Sequence, residues 1–135
     1  MLKKTIKYVD FNGTEREEDF YFHVSVQEVT RLEAKFGGKG VEAYAAELSA
    51  NQDMEAMIEF IENIVLSSYG RKTEDGKNFF KSEKIRQEFE YSQAYAELFE
   101  ELLMDPEAAR KFADGISMQT KKMKAQKLEV IGDTE

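Results

Sequence analysis

The one histidine of this 135-residue chain, His23, is the first place to look for proton-transfer chemistry. A histidine base needs a nucleophile within hydrogen-bond reach, and no serine is spaced to share a local arrangement with it. Cysteine is absent, which excludes disulfides, thiolate nucleophiles and zinc–cysteine sites. His23 therefore reads as a structural or exposed residue. Carboxylates cluster at Glu15, Glu17, Glu18 and Asp19, yet a metal site needs converging oxygen ligands around a tight-turn glycine. The segment Thr73–Lys77 offers Glu74 and Asp75, with no glutamate closing the loop at the required distance. Both clusters read as loop-solubilising charge, and no metal is expected. Gly37-Gly38-Lys39-Gly40 lacks the register of a phosphate-cradling loop and reads as a helix stop. Phe20, Tyr21 and Phe22 could stack on bases only in a basic surround, and their flank is Glu17, Glu18 and Asp19. No catalytic constellation and no cofactor site emerge, and the chain is not expected to be an enzyme.

Charge narrows the partners further. The net charge is −8, which disfavours nucleic-acid binding, because that binding draws on phosphate neutralisation. The distribution is uneven. From Ile116 onward, Lys121, Lys122, Lys124 and Lys127 against Glu129, Asp133 and Glu135 net +1, which leaves −9 on residues 1–115. No run approaches the roughly 20 apolar residues of a membrane helix. Met1–Lys7 is basic but precedes no apolar stretch, so the expected compartment is the cytosol.

The elements that must position any site follow from periodicity. An Asn12-Gly13 turn between Ile6, Tyr8 and the alternating Phe20, Phe22, Val24 predicts a hairpin over about residues 5–24. A lone hairpin is marginal in water and must lie on helices or pair with another chain. Ser25 and Glu28 form a capping box opening a helix with Val29, Leu32 and Phe36, which stops at Gly37-Gly38. Val41, Tyr44, Ala45 and Leu48 mark a second helix, and Asp53 caps a third. Met54, Met57, Ile58, Ile61, Ile64 and Val65 give that third helix the clearest stripe in the chain. Gly70 to Lys81 breaks the pattern, and Thr73–Lys77 within it reads as a turn. Ser82 and Ser92 cap two more helices, and Asp105-Pro106 opens the last, which is expected to end at Gly115. The fold class is mainly α: one domain of five to six helices over residues 1–116, with the N-terminal hairpin as a minor β part. Residues 117–135 read as a flexible or partner-ordered tail.

Several ordered segments carry a resemblance. Ser68-Tyr69-Gly70-Arg71-Lys72, Asp75-Gly76-Lys77, Phe80-Lys81-Ser82 and Glu88-Phe89 are followed by Ser92-Gln93-Ala94-Tyr95-Ala96-Glu97-Leu98-Phe99. Pro106, Ala108-Ala109, Phe112 and Gly115-Ile116 continue the series, and Tyr8–Gly13 with Glu18–Phe22 precede it. In order and spacing this wording resembles the tail assembly chaperones of long-tailed bacteriophages. The resemblance implies a non-virion assembly factor of the host cytoplasm. Such a factor binds and solubilises the tape measure protein and helps recruit major tail tube protein subunits. It would self-associate as a multimer along the tape measure.

Partner-binding residues must then come from physics. Methionine repacks cheaply at adaptable surfaces, which singles out Met54 and Met57, with ordinary core packing as the competing reading. Lys121, Lys122 and Lys124 could dock on an acidic neighbour. The rival functions are a structural tail-completion or adaptor protein retained in the virion, and a small enzyme using His23.

Overall fold

The computed structural model describes residues 1–116. The expected tail, with Lys121, Lys122 and Lys124, lies outside the described residues. The chain runs β1 (Leu2–Val9), β2 (Glu15–Phe22), α1 (Val26–Lys35), α2 (Val41–Asn51), α3 (Met54–Ser68), β3 (Tyr69–Lys72), β4 (Phe79–Phe80), α4 (Glu83–Glu90) and α5 (Gln93–Met104). A sixth helix, α6, covers residues 106–116. The protein is mainly helical with an N-terminal hairpin, as the periodicity predicts.

The hairpin turns where Asn-Gly signals it, with Gly13 at a φ of 81°. Asp10 organises the turn: its Oδ1 accepts from the backbone N–H groups of Asn12 and Thr14, and its Oδ2 from Arg16 Nε at 2.6 Å. The register pairs Leu2 with Phe22, Lys4 with Phe20, Ile6 with Glu18 and Tyr8 with Arg16. Because alternate side chains share a face, these eight point to one side of the sheet.

Gly70–Lys81, expected only as a break in the pattern around a turn at Thr73–Lys77, carries strands on either side of that turn. β3 pairs antiparallel with β2 through Tyr21↔Gly70 and Phe22↔Tyr69, and β4 pairs with β3. The hairpin is thereby the first half of a four-stranded sheet in the order β1-β2-β3-β4. That resolves the marginality of an isolated hairpin. Strands of four and two residues are too short for a period-2 pattern to announce them.

One hydrophobic cluster joins sheet and helices. α3 is its spine, with Met57, Phe60, Ile61, Ile64 and Val65 buried on more than one side of the helix. The sheet closes on the helices through an aromatic seam. Phe89 of α4 stacks on Tyr69 at 4.3 Å and lies 5.2 Å from Phe20, while Phe22 meets Phe112 of α6 at 5.1 Å. Burying each such ring contributes roughly 1.5–3 kcal/mol.

Local chemistry sets the helix ends. Ser25 Oγ accepts from the Glu28 N–H while Glu28 Oε1 accepts from the Ser25 N–H at 3.0 Å, completing the capping box. Asp53, Ser82 and Ser92 cap α3, α4 and α5 in the same sense. Gly115 departs from expectation, since α6 continues through residue 116. The glycine instead admits β1: a Cβ there would stand 3.1 Å from Leu2 Cδ1.

Candidate partner-binding groove

The last turns of α2 and α5 and the first turns of α3 and α6 converge on one open groove of about 520 Å³. Its lining is Leu48, Ser49 and Gln52 from the end of α2, Asp53, Met54 and Met57 at the start of α3, and Leu103 and Pro106. The sequence places these ends together by its punctuation. Gln52, at φ 54°, ends α2 in a left-handed turn, and Asp53 immediately caps α3. Asp105 and Pro106 do the same between α5 and α6, with Asp105 Oδ1 accepting from the Glu107 N–H.

The two methionines singled out from sequence are brought to this groove and divide its work. Met57 is buried at its floor, whereas Met54 is 61% exposed at its wall. Next along α5 from Leu103, Met104 is 76% exposed. Sequence reading overlooked Met104, although its signal was present: Leu102-Leu103-Met104 is an apolar triplet that one helix face cannot bury whole. A second recess of about 410 Å³, lined by Lys35, Phe36, Tyr44, Ala56, Glu59, Phe60 and Asn63, has both charge signs on its rim.

The residues considered for chemistry stand elsewhere. His23 follows β2 on the far face of the sheet, its N–H donating to Ser68 O at 2.8 Å and its ring edge-on to Phe79 at 6.1 Å. Its buried Nδ1 has no hydrogen-bond partner among the described residues. Burial first, then the charges of the N-terminal amine and Lys81, hold its pKa below 6.5. Lys81 beside it donates to His23 O at 2.7 Å, Ser67 O at 2.8 Å and Glu28 Oε2 at 2.6 Å. This polar node ties β4, α1 and α3 together. In the acidic cluster, Glu18 accepts from the Tyr8 hydroxyl and pairs with Arg16, and Asp19 accepts from Thr5 at 2.6 Å. The Tyr8 phenol is pushed up to about 12, chiefly by its bond to Glu18. Among the described residues no group of three or more His, Asp or Glu side chains could hold a metal ion. Nor, among them, is any helix long and apolar enough to cross a membrane.

What the arrangement offers is an apolar groove with flexible sulfur-bearing side chains, suited to holding another chain's helix. A family model described as phage tail assembly chaperone matches residues 1–130. No curated protein and no solved structure matches the chain.

Proposed function

From the premise that this chain belongs to the phage tail assembly chaperone family, we propose that it binds and solubilises the tape measure protein during tail morphogenesis. It helps recruit major tail tube protein subunits, acts in the host cytoplasm as a multimer along the tape measure, and leaves before the virion is complete. The family match across residues 1–130 carries this reading. The groove supports it, since Met54 exposes apolar surface beside the buried Met57. Residues 1–116 serve as the body, and Lys121, Lys122 and Lys124 reach toward an acidic neighbour.

The test is co-expression with the tape measure protein of the same genome. The expected result is more soluble tape measure protein, co-purifying with this chain. Unchanged solubility with no co-purification overturns the reading. Mass spectrometry of purified particles checks departure from the virion, where stoichiometric retention would overturn the transient role.

A further inference from the structure

We propose that Lys3 and Lys7 hold the open outer edge of β1 shut against strand pairing with a second copy of this chain.

The backbone of β1 is only half used. Asp10 N–H donates to Thr14 O at 2.9 Å, which makes those two a hydrogen-bonded pair. By the antiparallel alternation, Tyr8, Ile6, Lys4 and Leu2 then bond to β2. Val9, Lys7, Thr5 and Lys3 turn their N–H and C=O groups the other way. The far side of β2 agrees: His23 N–H donates to Ser68 O at 2.8 Å, so its odd-numbered residues face β3. β1 ends the sheet, and among the described residues no strand pairs with its outer side. α5 meets it from the inner face, where Lys4 stands 3.2 Å from Glu101. At the opposite edge β4 has two residues, too few to template a partner. β1 has eight.

The side chains on that edge decide what can pair there. Lys3, Thr5, Lys7 and Val9 lie on the exposed face of the sheet. β1 carries Lys3, Lys4 and Lys7 and no carboxylate. Lys7 reaches Glu17 only at 3.9 Å, with 81% of its side chain exposed. A second copy is the strand always at hand, at the chain's own concentration. Two-fold pairing centred on Thr5 sets Lys3 directly opposite the copy's Lys7, and does so twice. Centred on Ile6, the lysines of the two copies fall on diagonals of about 7–8 Å, still within reach of long side chains. In both registers like charges meet along one seam, which disfavours the pair. β2 is the contrast, since it places Glu17 opposite Lys7 and Asp19 opposite Thr5, and that side is paired.

The experiment compares the full chain with K3T/K7T, which keeps strand propensity and removes both ammonium groups. The control K84T/K111T removes two exposed lysines from α4 and α6 and makes the same change in net charge, two units below −8. Added net charge keeps copies apart, so association by K3T/K7T would run against that trend. By analytical ultracentrifugation K3T/K7T should self-associate about tenfold more tightly than the control, for relief of two like-charge contacts. Hydrogen exchange then locates the surface. The outward amides at positions 3, 5, 7 and 9 should gain protection in K3T/K7T and stay open in the unsubstituted chain at low salt. Raising salt on the unsubstituted chain screens the lysines and should bring the same alternate protection. Association of K3T/K7T no tighter than the control, or protection that spares those amides, overturns the proposal. So does their protection in the unsubstituted chain at low salt, since the edge would already hold a strand. Should K3T/K7T not fold, the salt series decides alone: an edge still open once the lysines are screened overturns it.

Discussion

Lys81 Nζ stands 2.6 Å from Glu28 Oε2, joining the residue just after β4 to the first turn of α1 across 53 positions of sequence. Glu28 is also the return arm of the capping box, and Lys81 also donates to the carbonyls that end β2 and α3. One ammonium thus satisfies three acceptors from three elements, all partly shielded from water. Burial lowers the Lys81 pKa, with the bond to Glu28 opposing that shift. A partly shielded charge is tolerated only because its partners are in place.

Replacing Lys81 by methionine keeps the stem and removes the charge. The carbonyls of His23 and Ser67 then lose their donor, and Glu28 keeps only its cap bond to Ser25. The expected cost is about 2 kcal/mol, read as a fall in urea midpoint at constant slope. A double-mutant cycle with Glu28→Gln should show a coupling of about 1 kcal/mol, moderated by the pair's partial exposure. Additive effects would refute the node.

Gly70→Ala should destabilise by about 1–3 kcal/mol through overpacking. An added Cβ would lie 2.6 Å from Phe79 Cε2 and 2.8 Å from the Phe80 carbonyl, and the backbone contact cannot swing away. Gly115→Ala is the contrasting case. Its neighbour is the flexible end of Leu2 at 3.1 Å, and alanine gains roughly 1 kcal/mol of helix propensity, so the net change should be near zero. Equal thermal shifts for the two variants would refute this account of Gly70.

These two glycines mark how far the fold was legible. Gly70 lay in a stretch read only as a break in the helical pattern, because strands of four and two residues carry too little alternation to register. Their existence depends on β2 offering an edge, which is a tertiary fact. Gly115 looked like a helix stop because glycine ends helices locally, while its real reason is Leu2, distant in sequence. The long helices were legible, since their stripes and their caps at Ser25, Asp53, Ser82 and Ser92 are local. The groove was half legible. Met54 and Met57 stood out by type, but their neighbours Leu48 and Leu103 belong to stripes indistinguishable from ordinary core until the helix ends converge.

Stability should fall with pH in two steps. Burial, then the N-terminal amine and Lys81, keep His23 below 6.5, with Glu28 opposing weakly. Falling pH lets the unfolded chain take a proton that the folded chain resists, so stability declines from about pH 6.5 downward. Glu28 adds a lower step. Burial would raise its carboxyl, but bonds from Lys81 and Ser25 hold it below 4.5. Its stabilisation is full above 4.5 and disappears as pH falls through the folded value. His23→Gln should flatten the curve of urea midpoint against pH between about 6.5 and 5 and spare the lower limb. An unaltered upper limb would show that His23 is not its source.

Fold-holding and partner-facing apolar residues should separate cleanly in mutational cost. Phe89 is 2% exposed and contacts Tyr69, Phe20, Phe22 and Tyr95 with centroid distances from 4.3 to 5.7 Å. Phe89→Ala removes the centre of that seam and should cost about 3–5 kcal/mol. Met54 and Met104, 61% and 76% exposed, leave water little on folding. M54Q/M104Q should therefore change stability by no more than about 0.5 kcal/mol in chemical denaturation. Folding alone then gives no reason for apolar side chains at those positions. A loss comparable to that of Phe89→Ala would place both methionines in the core and refute their assignment to the exposed surface.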